Sequence, residues 1–322
     1  MLKNDVLNIL EQQKGCHVSG QAIADMLSVS RNAVSKAVAA LRSDGYAITA
    51  STRCGYMLAA DCDILSREGI GKYLTAKNFN ITVLDSVDST NSLLKRMAAD
   101  GAAENTVVVA RSQTAGRGRM GRSFFSPADC GVYISMLIRP QLSAEDALRI
   151  TTSAAVAVAR ALRKLGVNAR IKWVNDLYVG GKKVCGILTE AALNLECGSV
   201  DYAVLGIGAN VSVCDGGYPD EISHIAAPAF STPPTDAKNK LAANILDELA
   251  AMHGRWLSSE ILDEYRALSM LTGKRVQVLR GGDSYSATVV GIDDRAGLIV
   301  ADDDGREQVL SSGEVSVRAK DE

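Results

Sequence analysis

The chain has 322 residues, which at ordinary domain sizes makes two or three domains. It is 47% hydrophobic and 22% charged, the balance of a globular protein with several cores rather than of a disordered or fibrous chain. A net charge of -2 excludes a surface coated in basic charge for indiscriminate nucleic-acid binding and leaves room for a local basic patch.

The seven cysteines, Cys16, Cys54, Cys62, Cys130, Cys185, Cys197 and Cys214, are odd in number, scattered, and form no C-x-x-C pair. That predicts reduced core thiols rather than a disulfide framework or a zinc site. The start, Met1-Leu2-Lys3-Asn4-Asp5-Val6, has no apolar signal region, and no apolar run is long enough to span a bilayer. A cytoplasmic location without membrane contact is expected.

In chain order, residues 1–64 read as a winged helix-turn-helix. A first helix covers Asn4 to Gln13, with Val6, Leu7 and Leu10 inward, and a second runs from Ser19 to Leu27. Ser30 caps a third, Arg31 to Ser43, whose Val34, Val38 and Leu41 fall at i, i+4 and i+7. Arg31, Asn32, Ser35 and Lys36 lie off that stripe. Two short strands around the tip Ser51-Thr52-Arg53 make a wing. Ser30, Arg31, Asn32, Ser35, Lys36 and Arg53 are therefore the candidate DNA contacts; a protein-binding helical domain is the plainer alternative. Residues 61–80 read as a connector punctuated by Gly69 and Gly71.

Residues 65–271 alternate strand and helix patterns, as a mixed-sheet α/β domain does. Thr106 to Ala110 is a β-branched buried strand, Ser143 opens a long helix stopped at Gly166, and Gly180-Gly181 joins two strands as a hairpin turn. Helices follow over Asp236 to Leu257 and Ser259 to Leu268. Residues 272–322 shift to short strands and turns, the pattern of a small β-barrel. The whole is α+β.

Two segments carry chemistry. Arg111 to Arg122, RSQTAGRGRMGR, places four arginines among three glycines without one acid, directly after a buried strand. Forked, permanent cations on a backbone that permits close approach suit phosphate and carboxylate. Gly116-x-Gly118-x-x-Gly121 also matches the dinucleotide fingerprint, but Ser123-Phe124-Phe125-Ser126-Pro127 does not continue as the helix which that motif needs. The second segment, Lys172 to Tyr178 and then Gly180 to Glu190, sets Lys183 near Gly186 on an otherwise apolar hairpin; a solvated strand lysine is its ordinary fate.

Together these segments resemble the biotin protein ligases, specifically the bifunctional ligase–repressor type. The order of winged helix, catalytic domain and barrel agrees, as do Asp88-Ser89-Thr90-Asn91, Leu205 to Val211 and Gly313 to Arg318. The resemblance implies a central domain of the biotin/lipoate ligase type and a C-terminal SH3-like β-barrel. It implies that the chain is a biotin-[acetyl-CoA-carboxylase] ligase, joining biotin through biotinyl-5'-AMP to a lysine of a biotin carboxyl carrier protein. It also implies a homodimer that represses at operator DNA when loaded with the adenylate. Ser89, Thr90, Asn91, Gln113, Gly116, Arg117, Gly118, Arg119, Lys183, Gly186 and Gly208 would hold biotin. Arg119, Arg122, Phe124, Lys172, Asn175, Asp176, Lys183 and Asn210 would hold ATP or the adenylate, with Mg²⁺ kept mainly by the phosphates. Arg117, Arg119 and Lys183 would carry the chemistry. Two departures stand out: Phe124 where the family usually has tryptophan, and Val174 where it usually has proline. A ligand- or NAD(H)-sensing winged-helix repressor without ligase activity is the competing reading.

Overall fold

The computed structural model describes residues 2–194, 196, 198–280, 283–311 and 314–317. At the N-terminus, helices α1 (Leu2–Gln12), α2 (Gly20–Leu27) and α3 (Arg31–Ser43) precede a hairpin of β1 (Ile48–Ser51) and β2 (Gly55–Leu58). Val6, Leu10, Ile23, Val34, Val38, Leu41 and Leu58 form a core of their own. The α2–α3 turn works as its sequence predicts: Ser28 takes the left-handed conformation, and the Ser30 hydroxyl accepts from Ala33 N. The wing closes at Gly55, where φ is +94° and a Cβ would lie 2.1 Å from the Val18 carbonyl oxygen.

The connector differs from its expectation. Gly69 and Gly71 sit inside a helix, α4 (Arg67–Tyr73), capped by the Ser66 hydroxyl on Gly69 N. Gly69 is there for contact rather than for a turn, because a Cβ would lie 2.5 Å from Asn239 Oδ1. Buried Asn239 in turn donates to the Ile64 carbonyl at 2.9 Å and accepts from Ser66 N at 3.2 Å, fixing the connector to the next domain.

The central domain runs β3 (Asn80–Leu84), α5 (Thr90–Ala99), β4 (Thr106–Ala110), β5 (Gly131–Ile138), α6 (Leu148–Lys164), β6 (Arg170–Lys172), β7 (Asp176–Val179), β8 (Lys182–Asn194), β9 (Ser199–Asn210), α7 (Asp220–Ser223), α8 (Ala237–Met252) and α9 (Ser259–Leu268). Its seven-stranded sheet has the order β3-β4-β5-β9-β8-β7-β6, with β3 and β4 parallel and the remaining pairs antiparallel. Helices α6 and α8 cover one face, and α5 packs Leu94 and Ala98 on Val108, Leu137 and Val204 of the other. Gly180 and Gly181 both have positive φ, as a two-residue hairpin turn requires. Ser143 caps a short 3-10 turn, Ala144–Asp146, and the long helix proper starts only at Leu148.

The C-terminal strands β10 (Arg275–Arg280), β11 (Asp283–Ile292), β12 (Leu298–Ala301), β13 (Glu307–Leu310) and β14 (Glu314–Val317) form an antiparallel sheet of order β13-β12-β11-β10-β14. Unlike the winged helix, this domain merges its apolar residues, Val276, Val289 and Leu298 among them, into the core of the catalytic domain. Gly313 and Arg318, which carry part of the resemblance, and Cys197 lie outside the described residues.

The cysteine expectation is corrected. Cys130 and Cys214 are joined in a disulfide, and Cys16 and Cys54 are exposed rather than in a core; Cys62 and Cys185 are buried and free. The pairing follows from strand register. Val211 N and Ser212 N both donate to the Cys130 carbonyl, which brings the Cys130 and Cys214 Cα atoms to 5.1 Å, within bridging range. A count of scattered cysteines carries no information about that register.

Candidate active site: a glycine-floored cleft beneath an arginine loop

Side chains alternate along a strand, so Gly186, Leu188 and Glu190 of β8 face the same way as their partners on β9, Gly208, Gly206 and Val204. This is the α5 face of the sheet. Three glycines lower its surface next to α5, and a cleft opens there. The missing side chains are occupied space: a Cβ on Gly208 would lie 2.4 Å from the Phe124 ring, and one on Gly206 would lie 2.2 Å from Asn91 Oδ1.

One end of the cleft is a hydrogen-bonded polar pocket. Ser89 caps α5, and the following Thr90 and Asn91 are buried. The fully buried Ser135 hydroxyl stands 2.7 Å from Thr90 Oγ1 and 2.6 Å from Asn91 Oδ1. Thr90 N donates to Gln113 Oε1 at 2.8 Å, Gln113 Nε2 donates to Ser126 Oγ at 2.9 Å, and Ser126 Oγ donates to the Phe124 carbonyl at 2.9 Å. Buried polar groups are satisfied one by one, as the low dielectric demands.

The other end is cationic. The loop folds back on itself: Gly118 N donates to the Arg122 carbonyl at 2.7 Å and Phe124 N to the Gly116 carbonyl at 2.8 Å. Gly116 has to be glycine, because a Cβ would lie 2.3 Å from the Phe124 carbonyl oxygen. Arg119 Nη1 donates to Asn175 Oδ1 at 3.2 Å, while Asn175 Nδ2 donates to the Ile187 carbonyl at 2.8 Å. Lys183 Nζ lies 2.7 Å from Asp176 Oδ1, Arg117 Nη2 lies 3.5 Å from Glu190 Oε1, and the Lys172 ammonium stands 5.8 Å from the Tyr178 ring centroid. Burial pushes the Glu190 carboxyl up. Hydrogen bonds from Asn91 and Lys95 and the charges of Lys95 and Arg117 outweigh it and hold the group below its ordinary range.

Helix α9 and the C-terminal domain support this end from behind. Trp173 Nε1 donates to the Ala296 carbonyl at 2.9 Å, and the buried Tyr265 hydroxyl donates to the Val174 carbonyl at 3.0 Å. The Trp173–Val174 peptide bond is cis.

The cleft brings together most of the residues singled out in the sequence. Ser89, Thr90, Asn91 and Gln113 line the polar end. Arg117, Gly118, Arg119, Arg122 and Phe124 line it from the loop, and Lys172, Asn175, Asp176, Lys183, Gly186 and Gly208 from the sheet. Gly116 and Asn210 are not in the lining: Gly116 closes the loop, and Asn210 donates to the Ala227 carbonyl at 3.3 Å beyond the floor. Sequence reasoning passed over Leu188 and Gly206 in the lining, and Glu190 beside it. Two-residue periodicity from Gly186 and Gly208 would have found all three. No helix opens at the glycines of the loop; a single 3-10 turn, Arg119–Gly121, leads into extended backbone at Arg122. That is not the geometry of a dinucleotide fingerprint. In the winged helix, Ser30, Arg31, Asn32, Ser35, Lys36 and Arg53 are all exposed, although the Ser30 hydroxyl is engaged as a cap.

Comparison with known proteins agrees with this geometry. Residues 83–210 match the Biotin/lipoate A/B protein ligase family, residues 3–57 an HTH domain, and residues 271–318 the Biotin protein ligase C terminal domain. The chain is 32% identical to the bifunctional ligase/repressor BirA of Bacillus subtilis, over 97% of each chain. It is 29% identical to the protein of that name from Escherichia coli, over 94% of this chain and 93% of the other. Among solved structures it is similar to the biotin protein ligase from Aquifex aeolicus in complex with biotin and ATP, with 27% identity and a TM-score of 0.59, over 74% of this chain and 98% of that one. An exposed helix-turn-helix, a cleft of this construction and full-length similarity place the chain in the family of bifunctional biotin protein ligase/repressors.

Proposed function

We propose that the chain activates biotin with ATP, transfers it from biotinyl-5'-AMP to a lysine of a biotin carboxyl carrier protein, and represses transcription at operator DNA as an adenylate-loaded homodimer. The observation that carries the reading is the division of the cleft: a satisfied neutral hydrogen-bonding pocket at one end, and Arg117, Arg119, Lys172 and Lys183 converging at the other. A ureido ring needs the first; a carboxylate meeting a triphosphate needs the second.

In the first step a biotin carboxylate oxygen attacks the α-phosphorus of ATP, the new O–P bond forms, and the bond to pyrophosphate breaks. Both reactants are anions, so fixed cations must offset their repulsion and the charge that builds on the phosphorus oxygens. Arg117, Arg119 and Lys183 are assigned to that task. Each already has an internal partner (Glu190, Asn175 and Asp176 respectively) that holds it near the rim until a stronger acceptor arrives. Positioning does most of the remaining work. The residues present fit Mg²⁺ held mainly by the substrate phosphates. Asp176 supplies one carboxylate on the wall, and among the described residues no cluster of three His, Cys, Asp or Glu exists to hold an ion alone. Bound with ATP, the ion would neutralise the pyrophosphate as it leaves. In the second step the acceptor lysine amine attacks the mixed-anhydride carbonyl carbon and AMP leaves, with the loop shielding the anhydride from water meanwhile.

Ser89, Thr90, Asn91 and Gln113 are assigned to the biotin ring system, and Gly186 and Gly208 to its close approach. Phe124, over the Gly208 and Gly186 floor, is assigned to the adenylate. The helix start and wing would contact DNA, with two protomers doubling the cations on phosphate. Among the described residues, no helix is long and apolar enough to cross a membrane. The test is pyrophosphate release from ATP on adding biotin. A sensing repressor without ligase chemistry would bind ligand and release none.

A further inference from the structure

Beside the cleft stands one carboxylate that touches residues of both of its ends. Glu190 follows Gly186 and Leu188 on the cleft-facing row of β8 and is 19% exposed. Its Oε2 accepts from Asn91 Nδ2 at 2.9 Å, and Asn91 is the residue that packs on Gly206 and faces Ser135. Its Oε1 accepts from Lys95 at 3.0 Å and lies 3.5 Å from Arg117 Nη2. Asn91 Nδ2 has a second acceptor in the Leu188 carbonyl, at 3.3 Å, so the amide is fixed in plane with its oxygen towards Ser135.

From this arrangement, which rests on the ligase reading above, we infer that Glu190 is a positioning residue: it fixes Asn91 at the polar end and holds Arg117 of the glycine–arginine loop over the cleft before any substrate carboxylate arrives. Arg117, Arg119 and Arg122 lie close together on this loop and repel one another; Asn175 engages Arg119, and Arg117 needs an anchor of its own to stay over the cleft when it is empty. A carboxylate at its rim gives one. Glu190 stays ionised across neutral pH because Asn91 and Lys95 stabilise its charge. Arg117 is about half exposed, so the pair is weak and salt-sensitive, which is what an exchangeable latch requires. The loop cation is thus ordered in advance, and biotin does not have to order it.

Glu190→Gln is nearly isosteric. Biotin affinity is measured calorimetrically for wild type, E190Q, R117A and the double variant, at low and high salt, alongside biotin-dependent pyrophosphate release by wild type. Loss of the latch is expected to weaken biotin binding by about three- to five-fold at low salt, less at high salt, and with little further loss in the R117A background. Unchanged affinity in E190Q, or an undiminished loss in the R117A background, would overturn the positioning role. So would a variant that no longer folds, which would make Glu190 a structural residue. Wild type that neither binds biotin nor releases pyrophosphate would take down the ligase reading and this inference together. Active wild type with an unaffected variant removes only this inference.

Discussion

Two clusters of charge in this molecule use the same residue types to opposite ends. At the seam between winged helix and catalytic domain, Lys14 is 4% exposed; it donates to Asp236 and to the Cys62 carbonyl, and lies 3.4 Å from Glu11. Asp236 also accepts from the Tyr73 hydroxyl at 2.7 Å and lies 3.6 Å from Lys72. In the cleft, Lys183 and Arg117 are 27% and 48% exposed, and each faces one carboxylate. A charge sealed from water cannot change partners without leaving an uncompensated neighbour, so the seam is structure. A half-hydrated charge with one partner can exchange it for a ligand, so the cleft is chemistry.

The largest expected effect breaks the seam. Lys14→Met keeps the apolar stem and removes the charge, leaving Asp236 and Glu11 buried with Lys72 and Tyr73 as the remaining partners of Asp236 among the described residues. Removing one member of a buried pair costs about 3–5 kcal/mol. The seam should open rather than bear that cost, and hydrogen exchange at Ile70, Lys238 and Asn239 should accelerate by about 100-fold or more. Exchange at wild-type rates would show that Lys14 does not hold the domains together.

In the cleft, Lys183→Ala should leave the fold intact and lower biotin-dependent pyrophosphate release by about 10²–10³, the range for removing one preorganised donor from a developing charge. Asp176 then loses its cation but stays in reach of water, so unfolding should change far less than in Lys14→Met. A folded variant with near-normal release would remove Lys183 from the chemistry.

How much of this contrast was legible in the sequence depended on distance along the chain. The arginine loop and the Lys172 to Glu190 hairpin are local patterns, and their residue types alone point to an anion site. The helix-turn-helix was equally open to reading, because Ser30, Val34, Val38 and Leu41 encode cap and stripe within one helix. The seam was hidden. Lys14 and Asp236 are 222 residues apart, and neither sits in a pattern that singles it out. Gly69 looked like punctuation because its reason, Asn239, comes from a distant helix. Cys130 and Cys214 looked like scattered thiols because only the β5–β9 register brings them together. Glu190 lies between these cases: its strand was read, but its partners Asn91 and Arg117 come from two other segments.

A smaller effect sharpens the cleft side. Arg119→Gly removes a part-buried guanidinium of the loop, whose donation to Asn175 at 3.2 Å is a contact within the site. A hydrogen bond to a charged group contributes about 1.5–3 kcal/mol. Biotinyl-5'-AMP should therefore dissociate roughly 10- to 150-fold faster, with unfolding little changed. Retention equal to wild type would show that Arg119 does not hold the intermediate.

The smallest expected effect has the opposite sign and tests whether every charge in the seam is useful. Glu11 is 1% exposed, its Oε1 lacks a hydrogen-bond partner, and its other oxygen is only loosely placed against Lys14. Burial, the main cause, raises its carboxyl above the ordinary value of 4.5, with Asp236 adding to the rise and Lys14 opposing it. Burial also pushes the Lys14 ammonium down, but its hydrogen bond to Asp236 and the charges of Glu11 and Asp236 leave it raised. Asp236 is held below its ordinary value: burial raises it, and Lys14, Tyr73 and Lys72 more than compensate. The signs therefore differ within one cluster. The Asp236 contribution is present above its ordinary value and lost as pH falls through its depressed one. The Lys14 contribution is present below its ordinary value and lost as pH rises through its raised one. For Glu11 the folded state prefers the neutral acid, so its ionisation costs stability above the raised value, and that cost is absent below 4.5. Glu11→Gln keeps the shape, supplies a neutral acceptor to Lys14, and leaves the Asp236 and Cys62 partners in place. It should stabilise the protein by about 1 kcal/mol at pH 7–8, with the gain fading towards pH 4.5. Denaturant midpoints for wild type and variant across that range supply the test. A variant less stable than wild type at pH 7–8 would show that Glu11 contributes to the seam as a carboxylate, and that the cluster uses all of its charges.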